Sequence, residues 1–176
     1  DGGAVIANDD AIAGRVRKLR DHGRDSTGEI AGWGMNSRLD NLQAAILDAR
    51  LERFDHAIER RRAIARKYRA ALGAIDEIVL PPGPDGDPDH FDIYQNYEIE
   101  AEDRDELREF LSDRGVGTIV QWGGKAVHQF KGLGLKASLP RTEELFTRLL
   151  LLPMNAFLSD DDVAYVCDTI GEFYRR

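Results

Sequence analysis

Gly32–Ala45, GWGMNSRLDNLQAA, decides how this chain is read. A glycine-flanked aromatic turn runs into Asn36-Ser37-Arg38 and then into an apolar run of helical period. Asn and Ser are residue types that start helices, because their side-chain oxygens accept from first-turn N–H groups that lack a partner within the helix. Those same N–H groups form a ready site for an anion. Arg38 places a guanidinium at that positive helix end, where it calls for a carboxylate neighbour or a bound anion. The residues leave two readings open: a capped helix with a surface ion pair, or donors for an anion or a neighbouring subunit.

From Ser37 to about Leu72 the chain has no Pro and no Gly, and its period is helical throughout. Leu39, Leu42, Ile46 and Ala49 form one apolar stripe; Leu47, Leu51, Phe54 and Ile58 form a second. Two stripes predict burial on more than one side. The second half keeps only Ile64, Tyr68 and Leu72 inward and mixes Arg and Lys with acids, the pattern of a solvated, ion-paired face. A single helix of that span would be ~50 Å long, so a kink and a change of domain are expected near Asp55–Ala57, dividing the chain into 1–56 and 57–176.

On the N-terminal side, Ala4–Ala7 is a short apolar run of strand type introduced by Gly2 and Gly3. Asn8-Asp9-Asp10 should cap a helix carrying Ile12, Val16 and Leu19, which should stop near His22-Gly23. Residues 23–36 have no period and read as a loop long enough to carry function. On the C-terminal side, Pro81–His90 is turn residues only and reads as a linker. Phe91–Glu100 alternates as a half-covered strand. Asp103 with Glu106 should form a capping box ahead of Leu107, Phe110 and Leu111. Val116–Trp122 and the Leu run before Pro153 read as strands, and Ser159 should cap a last helix with Val163, Val166, Ile170 and Phe173 inward. Helices alternating with strands from about residue 57 predict a compact α+β domain.

Apolar residues make up 42% and charged residues 32% of the 176, ordinary values for a globular protein. The net charge of -8 argues against partners held through phosphates, whether nucleic acid or an anionic membrane surface. One cysteine, Cys167, excludes an intrachain disulfide and fits a reducing cytoplasm; its apolar helical neighbours mark it as a core residue rather than a reactive thiol. No apolar run reaches the ~20 residues of a membrane span. The chain opens DGGAVIAND without Met, as though inside a structural unit, and is expected to be part of a longer protein.

Two loops hold the polar side chains that could carry chemistry. One contains Trp33, Asn36, Ser37 and Arg38; the other, Gln121–Phe130, contains Gln121, Trp122, Lys125 and His128 around Gly123-Gly124. His128 suits either a satisfied structural role or a functional one, and Lys125 either an exposed loop position or a nucleophile. The histidines lack metal-ligand spacing, and neither a phosphate-binding GxxxxGK loop nor a GxSxG elbow occurs.

DGGAVIANDDAIAGRVRKLRDHG (1–23), GMNSRLDNLQAAILDARLERFDHAIERRRAIARKYRAAL (34–72) and LLLPMNAFLSDDDVAYVCDTIGEFY (150–174) together resemble the DegT/DnrJ/EryC1/StrS sugar aminotransferases. The N-S-R-L-D-x-L-Q-A-A block is the most specific piece. The resemblance implies the C-terminal portion of a fold-type I enzyme that uses pyridoxal 5'-phosphate. Residues 1–56 would be the tail of the cofactor-binding large domain with the long helix, and 57–176 the small α+β domain with a short antiparallel sheet. It further implies transfer of an amino group from glutamate to a nucleotide-linked keto sugar, in homodimers whose active sites draw on both subunits. Asn36 would then reach the cofactor phosphate of the neighbouring subunit, Arg38 would lie near the substrate or amino-donor carboxylate, and His128 near the sugar, with Gln121, Trp122 and Lys125 in the same substrate loop. Two departures stand out. Gln121 occupies a position where the family commonly has His, and WGGKAV (122–127) replaces a Pro-rich loop. The lysine that bonds to the cofactor is expected upstream of Asp1, so this stretch by itself should be inactive. A sugar dehydratase of the same family, or a module that serves dimerisation or regulation alone, are the competing expectations.

Overall fold

The computed structural model describes residues 3–87 and 89–176, and its chain falls into two compact units, Asp1–Arg53 and Phe54–Arg176. Gly2, expected to introduce a strand, and Pro88, expected within a linker, lie outside the described residues.

In the first unit, helix α1 spans Asp10–Arg20. Asp9 starts it as expected: its Oδ1 accepts from the N–H groups of Ala11 at 2.7 Å and Ile12 at 3.0 Å. The helix stops at His22-Gly23, both with positive φ, and the Gly23 N–H returns to the Lys18 carbonyl at 2.9 Å. The chain then loops out and back, so that Asp21 pairs with Asn36 and Arg24 with Ile30. Here the glycines find their reason. A Cβ on Gly23 would sit 1.9 Å from the Gly32 carbonyl oxygen, and one on Gly34 would sit 2.2 Å from the Gly23 nitrogen. Backbone lies on backbone, and no larger residue fits.

Helix α2 spans Asn41–Leu51, four residues later than the start expected at Ser37. Asn36 and Ser37 are not its caps. The Ser37 N–H donates to the Arg20 carbonyl at 2.8 Å, tying this segment to the end of α1, and Leu39 turns left-handed at φ 63°. The helix is entered instead through Asp40, whose N–H donates to Gln43 Oε1 at 3.2 Å. Ala4–Ala7 is not a strand: among the described residues nothing pairs with it, and Ile6 is 93% exposed. An apolar run without a partner for its backbone groups has no ladder to join.

The second unit begins at helix α3, Phe54–Leu72, after a helical break at Glu52-Arg53. Strands β1 (Ile78–Val79), β2 (Tyr97–Ala101) and β3 (Leu149–Leu152) form one antiparallel sheet in the order β1-β2-β3. Its register sets Ile78 against Ala101, Tyr97 against Leu152 and Ile99 against Leu150. Helices α4 (Arg104–Asp113), α5 (Pro140–Arg148) and α6 (Asp160–Tyr174) complete the unit. Ile64, Tyr68 and Leu72 of α3 join Ile99, Leu107, Leu111, Leu150, Val163 and Ile170 in one buried cluster. The Tyr68 hydroxyl donates to the Pro153 carbonyl at 2.7 Å, so this large buried ring leaves no polar atom unmet. Cys167 belongs to the same cluster, and burial pushes its thiol up to about 11, which suits packing and not nucleophilic chemistry.

Three sequence expectations give way to local turn chemistry. The strand expected over Phe91–Glu100 begins only at Tyr97, because Asp92 Oδ1 accepts the Tyr94 N–H at 2.7 Å and Tyr94 adopts φ 49°. That Asx-type turn buries Tyr94 and leaves Phe91 exposed. Asp103 precedes α4 with φ 49°, and its side chain makes no cap, so no capping box with Glu106 forms. Val116–Trp122 contributes one bridge, Ile119 to Leu151, before a 3-10 turn at Gln121–Gly123 ends it. Within the segment expected as a linker, Pro81, Pro84 and Asp85 are held against α3. Arg62, buried, donates to the carbonyls of Pro84 at 2.6 Å and Asp92 at 2.8 Å and lies over the Phe91 ring at 4.3 Å. Arg66 pairs with Asp85 on the same stretch.

Ser159 caps α6 as expected. Its Oγ accepts from the Asp162 N–H at 3.1 Å, while Asp162 Oδ2 accepts from the Ser159 N–H at 2.9 Å. Ser159→Ala is expected to lower the stability of this unit by about 1 kcal/mol. Urea unfolding checks it: the midpoint should fall with the m-value unchanged.

Candidate functional site

The Asn36–Arg38 segment lies beside the end of α1, held by the backbone pairing of Asp21 with Asn36. Arg38 Nε donates to Asn36 Oδ1 at 3.1 Å, and Arg38 Nη1 meets Asp21 Oδ1 at 3.2 Å. Arg20 Nη2 donates to the Arg38 carbonyl at 2.5 Å, fixing the backbone of the same turn. Because the Asn36 oxygen is the acceptor for Arg38, its amide N–H donors are left for another group. The surface ion pair foreseen for Arg38 is present, with Asp21 as its partner. Asn36, Arg38, Arg17 and Arg20 line a wide groove of about 920 Å³ together with the Gly3–Ala7 run. Its cationic and amide donors suit an anion, with Asp21 already balancing part of the charge.

The second loop belongs to the Phe54–Arg176 unit. Its first half is a tight turn: Trp122, Gly123 and Gly124 all have positive φ, and the Gly124 N–H donates to the Gln121 carbonyl at 2.9 Å. Trp122 and Lys125 are exposed, and Gln121 is half-buried. His128 is not: it is 8% exposed, and its Nε2 lies 2.9 Å from Glu143 Oε1. Its Nδ1 is buried without a partner. Glu143 Oε1 also accepts the Leu139 N–H at 3.0 Å. That backbone donor first, then His128, holds the Glu143 carboxyl below the usual carboxylate range.

Sequence reasoning passed over Glu143 and Arg104. Arg104 is 9% exposed and donates from Nη1 to the Leu149 carbonyl at 2.9 Å, joining the start of α4 to the start of β3 beneath Gly124. Both read as ordinary charged helix residues in sequence; only the arrival of distant backbone carbonyls and a buried imidazole distinguishes them. Among the described residues no cluster of His, Cys, Asp and Glu suits a metal ion, and no helix is long and apolar enough to cross a membrane.

The Asn36–Arg38 turn leads into a helix with two apolar stripes, and the other unit is an α+β fold with a three-stranded antiparallel sheet. The chain belongs to the DegT/DnrJ/EryC1/StrS aminotransferase family, whose model matches residues 1–171. It is 37% identical over its full length to a protein of Geobacillus stearothermophilus named pleiotropic regulatory protein, covering 48% of that protein. It is 35% identical, again over its full length, to the dTDP-3-amino-3,4,6-trideoxy-alpha-D-glucose transaminase of Streptomyces venezuelae, covering 46% of it. Among solved structures, S. venezuelae DesV in complex with a ketimine intermediate aligns with a TM-score of 0.87 at 32% identity, over 97% of this chain and 46% of that one. An aminotransferase of the family from Brucella abortus aligns with a TM-score of 0.85 at 31% identity, over the same shares. The chain therefore spans about half the length of the relatives it matches.

Proposed function

We propose that these residues form the C-terminal portion of an enzyme that uses pyridoxal 5'-phosphate to move an amino group from glutamate onto a nucleotide-linked keto sugar, in the cytoplasm. The observation that carries the reading is the family match over residues 1–171 coinciding with exposed anion donors at Asn36 and Arg38. The residues fit two anions: the Asn36 amide offers N–H groups to the cofactor's phosphate, and Arg38, oriented by Asp21 and Asn36, offers a guanidinium to a carboxylate. Bound there, the cofactor would supply an electron sink for chemistry at the amino-bearing carbon. The chain's own residues bind and orient. Asn36 holds the phosphate of the neighbouring subunit of a homodimer; Arg38 receives the carboxylate of glutamate; Gln121, Trp122 and Lys125 face the sugar nucleotide, with His128 fixing that loop's second half. The amine that bonds to the cofactor comes from outside residues 1–176, because no lysine here stands in a matching context. Residues 1–56 serve the cofactor-binding domain and 57–176 the small domain.

In the protein expressed from its complete reading frame, Asn36→Ala is expected to weaken cofactor retention ~10-fold or more, the loss of charge-assisted hydrogen bonds. Arg38→Ala is expected to raise KM for glutamate while leaving cofactor absorbance in place. Folded variants that keep both properties would refute the assignments. A regulatory reading draws support from the name of the Geobacillus relative; cofactor-free protein that is stably folded and turns over no sugar nucleotide would favour it.

A further inference from the structure

The sugar-side assignment of His128 leaves unexplained why its ring is buried and what Glu143 does. His128 is 8% exposed, so its ring is largely shut off from any ligand in solution, while Glu143 on α5 holds its Nε2 at 2.9 Å. The same Glu143 oxygen accepts the N–H of Leu139, the residue before α5. One carboxylate therefore joins the first turn of α5 to the substrate loop. Within that loop, a second fastening keeps the turn around His128 closed: the Ala126 N–H donates to Gln129 Oε1 at 2.9 Å. Lys125, exposed, immediately precedes this fastened turn. The first half of the loop is independently tied, by the Gly124 to Gln121 turn and the Ile119–Leu151 bridge.

We propose that Glu143 is a positioning residue: through His128 it clasps the 125–134 half of the loop onto α5 and so sets where Lys125 is presented. A carboxylate oxygen can only accept, so Nε2 carries the hydrogen of this contact, while Nδ1 is buried without a partner. This role for Lys125 rests on the substrate-loop reading above, but the clasp does not, and ligand-free protein tests it separately.

Hydrogen–deuterium exchange on the 176-residue chain, with histidine nitrogen NMR, reads the clasp directly. Glu143→Ala and His128→Leu are both expected to speed amide exchange in 125–134 by ~10-fold or more, the loss of a hydrogen bond to a charged group. Exchange at β2 and β3 should stay as in the parent. His128→Leu should leave the Leu139 amide protected, since Glu143 still accepts from it. Glu143→Gln, which keeps an acceptor oxygen in place, should restore most of the loop protection. In the parent His128 should show the Nε2–H signature, lost in Glu143→Ala. Unchanged exchange in 125–134, an equal rise throughout the unit, or an Nδ1–H tautomer in the parent would overturn the proposal. A failure of the substrate-loop reading would show instead as sugar-nucleotide affinity indifferent to Trp122 and Lys125 substitution.

Discussion

Ile99→Ala is expected to destabilise the Phe54–Arg176 unit by about 2–5 kcal/mol. Ile99 has no exposed surface, sits in the central strand opposite Leu150, and contacts the cluster that α3, α4 and α6 share. Truncation removes three carbons' worth of transfer free energy and leaves a hole that the neighbours fill only in part. A position between two paired strands has little freedom to collapse, which favours the upper part of that range. Urea unfolding followed by circular dichroism measures it, and the midpoint should fall well below that of Ser159→Ala. An effect under about 1 kcal/mol, the cost of a single cap, would mean that the sheet does not organise this core.

Leu42→Glu with Ile46→Glu is expected to have an effect as large, on association rather than on folding. Leu42 is 74% exposed and Ile46 51%, and Leu47 and Leu51 add to the apolar surface of α2. A helix apolar on two stripes and solvated along both is an incomplete interface, since proteins seldom leave a contiguous patch of that kind bare. The parent chain should self-associate with rising concentration in light scattering, and the double variant should stay monomeric with its helical content retained. A parent chain that remains monomeric at high concentration contradicts this.

The contrast between α2 and α3 shows what the residues disclosed. Period alone separated the inward face of α3, Ile64, Tyr68 and Leu72, from its charged face, and all three are buried. Helical period predicted α6 with its Ser159 cap in the same way, and the Leu run before Pro153 its strand. It could not find the start of α2, because Asn36 and Ser37 are chemically good caps whose backbone is claimed by the end of α1. Nor could it find the Tyr94 turn, where one Asp92 hydrogen bond overrides six residues of clean alternation. In the candidate site, the Arg38 guanidinium was legible as calling for a carboxylate or an anion, and the structure supplies Asp21 at 3.2 Å. Glu143 was not legible. Its partner lies 15 residues away across an irregular loop, and no periodicity links the two.

Amino transfer itself is the most direct measurement. Protein expressed from the complete reading frame that encodes these residues, supplied with pyridoxal 5'-phosphate, glutamate and a nucleotide-linked keto sugar, should form amino sugar and 2-oxoglutarate in equal amounts, and Asn36→Ala should suppress both. Loss of water from the sugar without 2-oxoglutarate, or no turnover by a folded, cofactor-loaded protein, would contradict the proposed function.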